Sequence, residues 1–138
     1  MIHLTIDGET IAVEPGTTIL EAARRLNVHI PTLCYHEDQA VKAVCRICVV
    51  EVEGQRLLPA ACSTPVSEGM VVKTASPKVI KARKNIMELI LARHPQDCLV
   101  CSKNGSCELQ KIARDLNMTR PNRYELQPRD ARFDDSSP

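Results

Sequence analysis

Residues 34–62 read CYHEDQAVKAVCRICVVEVEGQRLLPAAC. Their four cysteines, Cys34, Cys45, Cys48 and Cys62, stand at the spacing C-x10-C-x2-C-x13-C. A lone cysteine ahead of a C-x2-C pair, with a distant fourth, is the general shape of a ferredoxin-type loop whose thiolates hold an iron–sulfur core. Such a loop has to curl so that backbone N–H groups point at the sulfurs and offset part of the thiolate charge. Ala40, Ala43, Ala60 and Ala61 leave room for that path, and Arg46 sets a cation between two ligand candidates. Buried structural cysteines are the ordinary alternative, but four in one short segment, two of them at C-x2-C, weaken it. Zinc is the better rival. Its structural sites draw on short-spaced ligand pairs, whereas Cys34 and Cys62 each stand alone.

Upstream of this stretch, Ile2, Leu4 and Ile6 alternate with polar residues, Asp7-Gly8 gives a turn signal, and residues 10–13 alternate again, which predicts a hairpin. After Pro15-Gly16 the period becomes helical through Ile19, Ala22, Ala23 and Leu26, with Thr18 and Glu21 as a capping box and Asn27 as the stop. An irregular segment over 28–44 leads into strands expected at about 47–52, 56–58 and 70–73. The expected assembly is a small mixed sheet wrapped on one helix, an α+β fold.

Downstream, the character changes around Ala75-Ser76-Pro77. Residues 78–93 put Val79, Ala82, Ile86, Leu89 and Ile90 on one helical face, and Pro95 ends the run. Here a second constellation appears: His94, Cys98, Cys101 and Cys107 at H-x3-C-x2-C-x5-C. With it, all seven cysteines have a place. Spacing alone leaves this second site open, since three cysteines and a histidine suit zinc as well as iron. A helix-terminal histidine favoured by the helix dipole is the bland reading of His94. Gly105 supplies a positive-φ turn back towards Cys107. A further amphipathic segment follows, with Ser106 as N-cap and Leu109, Ile112, Ala113 and Leu116 on one side. Asp97 and Glu108 pair with no substrate pocket and read as solvated or capping groups. His3, His29 and His36 are given no metal role.

Composition bounds the rest. In 138 residues there are one Phe, two Tyr and no Trp, so bound clusters and aliphatic side chains have to organise the interior, and folding should depend on metal. A formal charge of +1 and almost no aromatic residues exclude a nucleic-acid surface. No apolar run reaches membrane-spanning length. The odd cysteine count and an N-terminus without signal-peptide regions argue against a secreted disulfide scaffold and for a reducing cytoplasm. Neither G-x-G-x-x-G nor a Walker loop occurs, so no nucleotide site is expected.

IPTLCYH, CRICVVEV and ACSTPV resemble the [2Fe–2S] domain that opens the large iron–sulfur subunit of respiratory NADH dehydrogenase, iron-only hydrogenases and some NAD-linked formate dehydrogenases. HPQDCLVCSKNGSCELQ resembles the His-ligated [4Fe–4S] segment that follows in the same families. The resemblance runs over about residues 1–120, with the two segments in the matching order. It implies a β-grasp [2Fe–2S] domain over 1–75 with ligands Cys34, Cys45, Cys48 and Cys62. A small helical [4Fe–4S] domain over 76–120 would have ligands His94, Cys98, Cys101 and Cys107. Residues 121–138 would form a flexible or partner-docking tail. One departure falls at Ala43, where members often carry Gly two residues before the second ligand; a positive φ there strains an alanine. The function so implied is a short stand-alone, non-catalytic subunit. It would relay single electrons between a flavin-containing NAD(P)H-oxidising partner and a terminal hydrogenase, formate dehydrogenase or electron-bifurcating complex. Lys78, Lys81, Arg83 and Lys84 read as a solvated helix face or a dock for an acidic partner. A structural zinc-binding interaction module is the alternative, and a cluster-based redox sensor a third reading without a recognisable DNA-binding segment.

Overall fold

The computed structural model describes residues 1–92, 94 and 98–118. Strands β1 (Ile2–Ile6) and β2 (Glu9–Val13) form the expected hairpin, with Ile6 opposite Glu9 across a two-residue loop. Asp7 and Gly8 both hold positive φ, at 51° and 88°, the requirement of the type I′ turn that matches strand twist. Asp7 also ties the sheet together: its carboxylate accepts the Thr74 N–H at 2.8 Å and the Thr74 hydroxyl, just beyond the 70–73 strand that pairs with β1.

Helix α1 (Ile19–Arg25) opens with the full capping box. Thr18 Oγ1 accepts the Glu21 N–H and Glu21 Oε2 accepts the Thr18 N–H, at 3.3 and 3.0 Å. It closes at Asn27, φ 57°, with the Val28 N–H bonded to the Ala23 carbonyl and the Asn27 N–H to that of Arg24, a Schellman closure. Strands β3 (Glu51–Val52) and β4 (Met70–Lys73) complete a mixed four-stranded sheet of order β2-β1-β4-β3, in which β1 and β4 run parallel. Leu4, Ile6, Val13, Val50 and Val72 meet Ile19, Leu20, Ala22 and Ala23 of α1 in the main core.

Two expected strands are corrected. The 47–52 strand shrinks to Glu51–Val52, preceded by a single bridge between Val49 and Ala60, and 56–58 forms no strand. The Ile47 N–H turns to the Cys45 sulfur and the Val49 N–H to the Arg46 carbonyl, so neither joins the sheet ladder, and Leu57 is 82% exposed in a bend.

Helix α2 (Pro77–Ala92) starts where Ser76 Oγ accepts the Val79 N–H at 3.3 Å and Pro77 takes the first helical position, which has no need of an N–H. Its fully buried line is Val79, Arg83 and Met87, an i, i+4, i+8 row, while Leu89 is 55% exposed. The expected face is therefore rotated, and Arg83 leaves the solvated charge run. After a short 3₁₀ turn (Cys98–Val100), α3 (Glu108–Asp115) buries Ile112 and packs Leu109, Ala113 and Leu116 as expected, then closes at Asn117 with a second Schellman pattern. Cys107 rather than Ser106 is its N-cap; the Ser106 hydroxyl turns back to the Lys103 carbonyl.

A second core joins Ile47, Met87, Ile112 and Leu116, with Leu33 and Cys45 against it. The cysteine loop of the sheet region thus shares an apolar interior with α2 and α3. Among the described residues, no helix is long and apolar enough to cross a membrane.

Candidate metal centres

The first cysteine group is assembled by loops hung on the sheet. Arg24 of α1 lies over the Tyr35 ring, 4.9 Å from its centroid, and its Nη1 donates to Glu37 Oε1 at 2.7 Å, which fixes the chain just after Cys34. Cys34 and Cys45 are in side-chain hydrogen-bonding contact, and the backbone N–H groups of Val44 and Cys45 point at the Cys34 sulfur. Those of Leu33, Cys34 and Ile47 point at Cys45. Both Ala43 (φ 49°) and Arg46 (φ 61°) adopt left-handed geometry to make this curl. Ala43 therefore occupies the strained conformation that a glycine would take freely.

Across from this pair, Cys48 and Cys62 are buried and in side-chain contact with each other. The Ala61 N–H donates to the Cys48 carbonyl at 3.1 Å and the Val50 N–H to the Pro59 carbonyl at 3.1 Å, so backbone bonds set the second pair. Burial works to raise the Cys34 thiol, but the surrounding N–H groups and the Cys45 thiol outweigh it and hold it below the ordinary range. Cys45 is raised, chiefly by burial, against the pull of its own N–H donors. Burial, the Cys48 hydrogen bond and the charges of Cys48, Cys34 and Cys45 push Cys62 up to about 12. Negative charge on Cys48, Cys34 or Cys45 opposes ionisation of Cys62, and a bound cationic core would relieve that opposition.

Among the described residues, no three His, Cys, Asp or Glu side chains converge as one metal ion requires. The two thiol contacts, Cys34 with Cys45 and Cys48 with Cys62, suit a dinuclear iron–sulfur core held by four thiolates.

The second group is more open. His94 is exposed, with its N–H on the Leu91 carbonyl at 3.1 Å. The 3₁₀ turn closes between Cys98 and Cys101, the Cys101 N–H donating to the Cys98 carbonyl at 3.1 Å. Gly105, at φ 85°, turns the chain back as expected, and its N–H donates to Gln110 Oε1 at 3.2 Å. Gln110 Nε2 donates in turn to Asn104 Oδ1 at 3.2 Å. Cys107 stands at the start of α3, where unpaired N–H groups and the helix dipole favour a negative ligand. Among the described residues no three of His94, Cys98, Cys101 and Cys107 converge on one point, and the paired contact of the first group has no counterpart among them.

Residues 1–77 match the family of the 2Fe-2S iron-sulfur cluster binding domain. The chain belongs to that family. Residues 83–122 match the iron-sulfur binding region of NADH-ubiquinone oxidoreductase-G, so this 2Fe-2S family member carries a [2Fe–2S] and a [4Fe–4S] cluster. It is 53% identical over 118 residues to the NADP-reducing hydrogenase subunit HndD of Solidesulfovibrio fructosivorans, covering 82% of this chain and 20% of that protein. It is 46% identical over 109 residues to the mitochondrial NADH-ubiquinone oxidoreductase 78 kDa subunit of Neurospora crassa, covering 79% of this chain and 15% of that one. A solved NAD+-reducing [NiFe]-hydrogenase in its H2-reduced state superposes with a TM-score of 0.84 at 33% identity, over 94% of this chain and 54% of that chain. The chain spans about a fifth or less of these two curated relatives. The zinc alternative finds no support in these likenesses.

One residue of the first centre was missed from the sequence. Arg83 is buried beside it: its Nη2 donates to the Val49 carbonyl at 2.9 Å, and burial, against the attraction of Cys48 and Asp7, lowers its pKa to about 10. It sits between lysines in a KARK run, so only the i+4 spacing from Val79 and to Met87 marks it as inward.

Proposed function

We propose that this family member is an electron relay. Single electrons pass between a flavin-containing NAD(P)H-oxidising partner and a terminal oxidoreductase such as a hydrogenase, a formate dehydrogenase or an electron-bifurcating enzyme. Cys34, Cys45, Cys48 and Cys62 hold the [2Fe–2S] cluster in this reading, and His94, Cys98, Cys101 and Cys107 hold the [4Fe–4S] cluster. When bound, the clusters supply reversible one-electron chemistry; the chain supplies ligand geometry, burial and charge. Its own residues take no catalytic part. Leu33, Cys45 and Ile47 exclude water between the two loops by packing on α2 and α3. The N–H groups around Cys34 and Cys45 stabilise negative charge on sulfur. The division is at 75/76, and the docking role assigned to residues 121–138 lies outside the described residues.

The observation that carries this reading is the shared core: two cluster-binding regions packed through Ile47, which lies between two cysteines of the first, suit transfer from one centre to the other. Anaerobic co-purification from the native source, followed by addition of NADH or NADPH under EPR, tests it. Reduction of both centres through a co-purifying flavoprotein, reversed by an oxidant without loss of iron, is the expected result. Pyridine nucleotide that leaves both centres oxidised in the intact complex would count against it.

A further inference from the structure

Arg83 belongs by sequence to α2, in the second matched region, yet its side chain lies with the first. It is 4% exposed. One donor, Nη2, reaches the Val49 carbonyl next to Cys48, and Nε–H has no protein acceptor among the described residues. Among the described residues no salt bridge compensates the charge there; Cys48 and Asp7 are the groups within its electrostatic reach. A guanidinium cannot shed its proton as a lysine can, and a buried cation left without an anion is costly. Four thiolates around an iron–sulfur core carry net negative charge, and one of the four, Cys48, is within the electrostatic reach of Arg83.

We propose that Arg83 is the fixed countercharge of the [2Fe–2S] centre, a positioning residue that raises its reduction potential and makes that potential depend on the docking of α2. The inference rests on the assignment of Cys48 as a cluster ligand. Reduction adds one electron to the core and moves no proton, so the centre gains one negative charge. A cation held in a low-dielectric interior stabilises the reduced state more than the oxidised one. Because the charge arrives on α2, the sheet region alone would hold a centre that is harder to reduce. The alternative is a purely structural guanidinium that pins the Val49 carbonyl.

The full chain, loaded anaerobically with both clusters, is titrated with dithionite and mediators under EPR as wild type, Arg83→Met and Arg83→Lys. In Arg83→Met the reduced-to-oxidised ratio of the [2Fe–2S] centre at a fixed potential should fall by on the order of tenfold, which is a 59 mV downward shift for one electron. The [4Fe–4S] midpoint should move less. Arg83→Lys, which keeps the charge but not the planar fork, should stay within about threefold of wild type. An unmoved [2Fe–2S] midpoint in loaded Arg83→Met overturns the proposal, as does equal movement of both centres or an Arg83→Lys shift as large as that of the neutral variant. Should Arg83→Met fail to fold, Arg83→Lys decides: a tenfold fall in its ratio overturns the proposal, and near-wild-type behaviour supports it. A wild-type protein without a [2Fe–2S] signal would instead sink the ligand assignment.

Discussion

The two cysteine regions differ in how much of the site the polypeptide has built before any cluster is considered. In the first, thiols meet in pairs, backbone donors converge on Cys34 and Cys45, and the loops hang from a four-stranded sheet with its own core. In the second, His94 and Cys101 are exposed, and Leu99 and Val100 between Cys98 and Cys101 are 94% and 87% exposed. The loop is tied chiefly by Gln110 and by short backbone turns. One cysteine loop is preorganised by a hydrophobic core; the other, over 98–107, contributes no residue to either core cluster and is expected to gain order from what it binds.

The largest expected effect sets the two regions against each other. Cys62→Ala should abolish the [2Fe–2S] signal and leave the [4Fe–4S] signal, while Cys107→Ala does the reverse, as read by EPR of the dithionite-reduced proteins. Amide hydrogen exchange sharpens the contrast. Loss of the second cluster should speed exchange over 98–107 by about 100-fold or more, whereas loss of the first leaves β1 and β4 protected. Equal loosening of both regions would break the distinction.

Ile47→Ala comes next. The side chain is fully buried in the core that both regions share, and its truncation should cost about 3 kcal/mol in denaturant unfolding of the loaded protein. A cost below about 1 kcal/mol would mean that the regions pack independently. Exchanging one imidazole for a thiolate in His94→Cys should lower the [4Fe–4S] potential by on the order of 100 mV, in the sense that histidine-for-cysteine ligation raises potentials elsewhere, and leave the [2Fe–2S] potential in place. A redox titration showing no shift in an intact variant cluster contradicts that role. Smaller still is Arg24→Ala, which removes an exposed ion pair and a ring contact worth about 1 kcal/mol together and should show as faster proteolysis within 36–44 rather than as cluster loss. Least of all, Ala43→Gly should stabilise by about 0.5 kcal/mol, the relief of left-handed strain less the added freedom of the unfolded chain, visible as a higher denaturant midpoint.

Much of this was legible in residue order, for identifiable reasons. Asp7-Gly8, the Thr18–Glu21 box, Asn27 and Gly105 act through local backbone chemistry, and each holds the geometry its residue type implies. Parallel pairing of β1 with β4 brings together residues far apart in the chain and has no local signal. Around the cysteines, propensity failed: ICVVEV is rich in β-branched residues, yet the Ile47 N–H goes to the Cys45 sulfur and the Val49 N–H to the Arg46 carbonyl, which leaves Glu51–Val52 as the strand. Arg83 was read as solvated because charge dominates a local reading, while its i+4 alignment with Val79 and Met87 is what buries it. Cys107 displaced Ser106 as N-cap because the Ser106 hydroxyl bonds backward within its own turn.

Chemical quantitation of anaerobically purified protein bears most directly on the central claim. Two clusters in one chain predict iron and acid-labile sulfide in equal amounts, about six of each per chain, with visible bleaching by dithionite and two distinguishable EPR signals. Colourless protein containing zinc and no sulfide would contradict it.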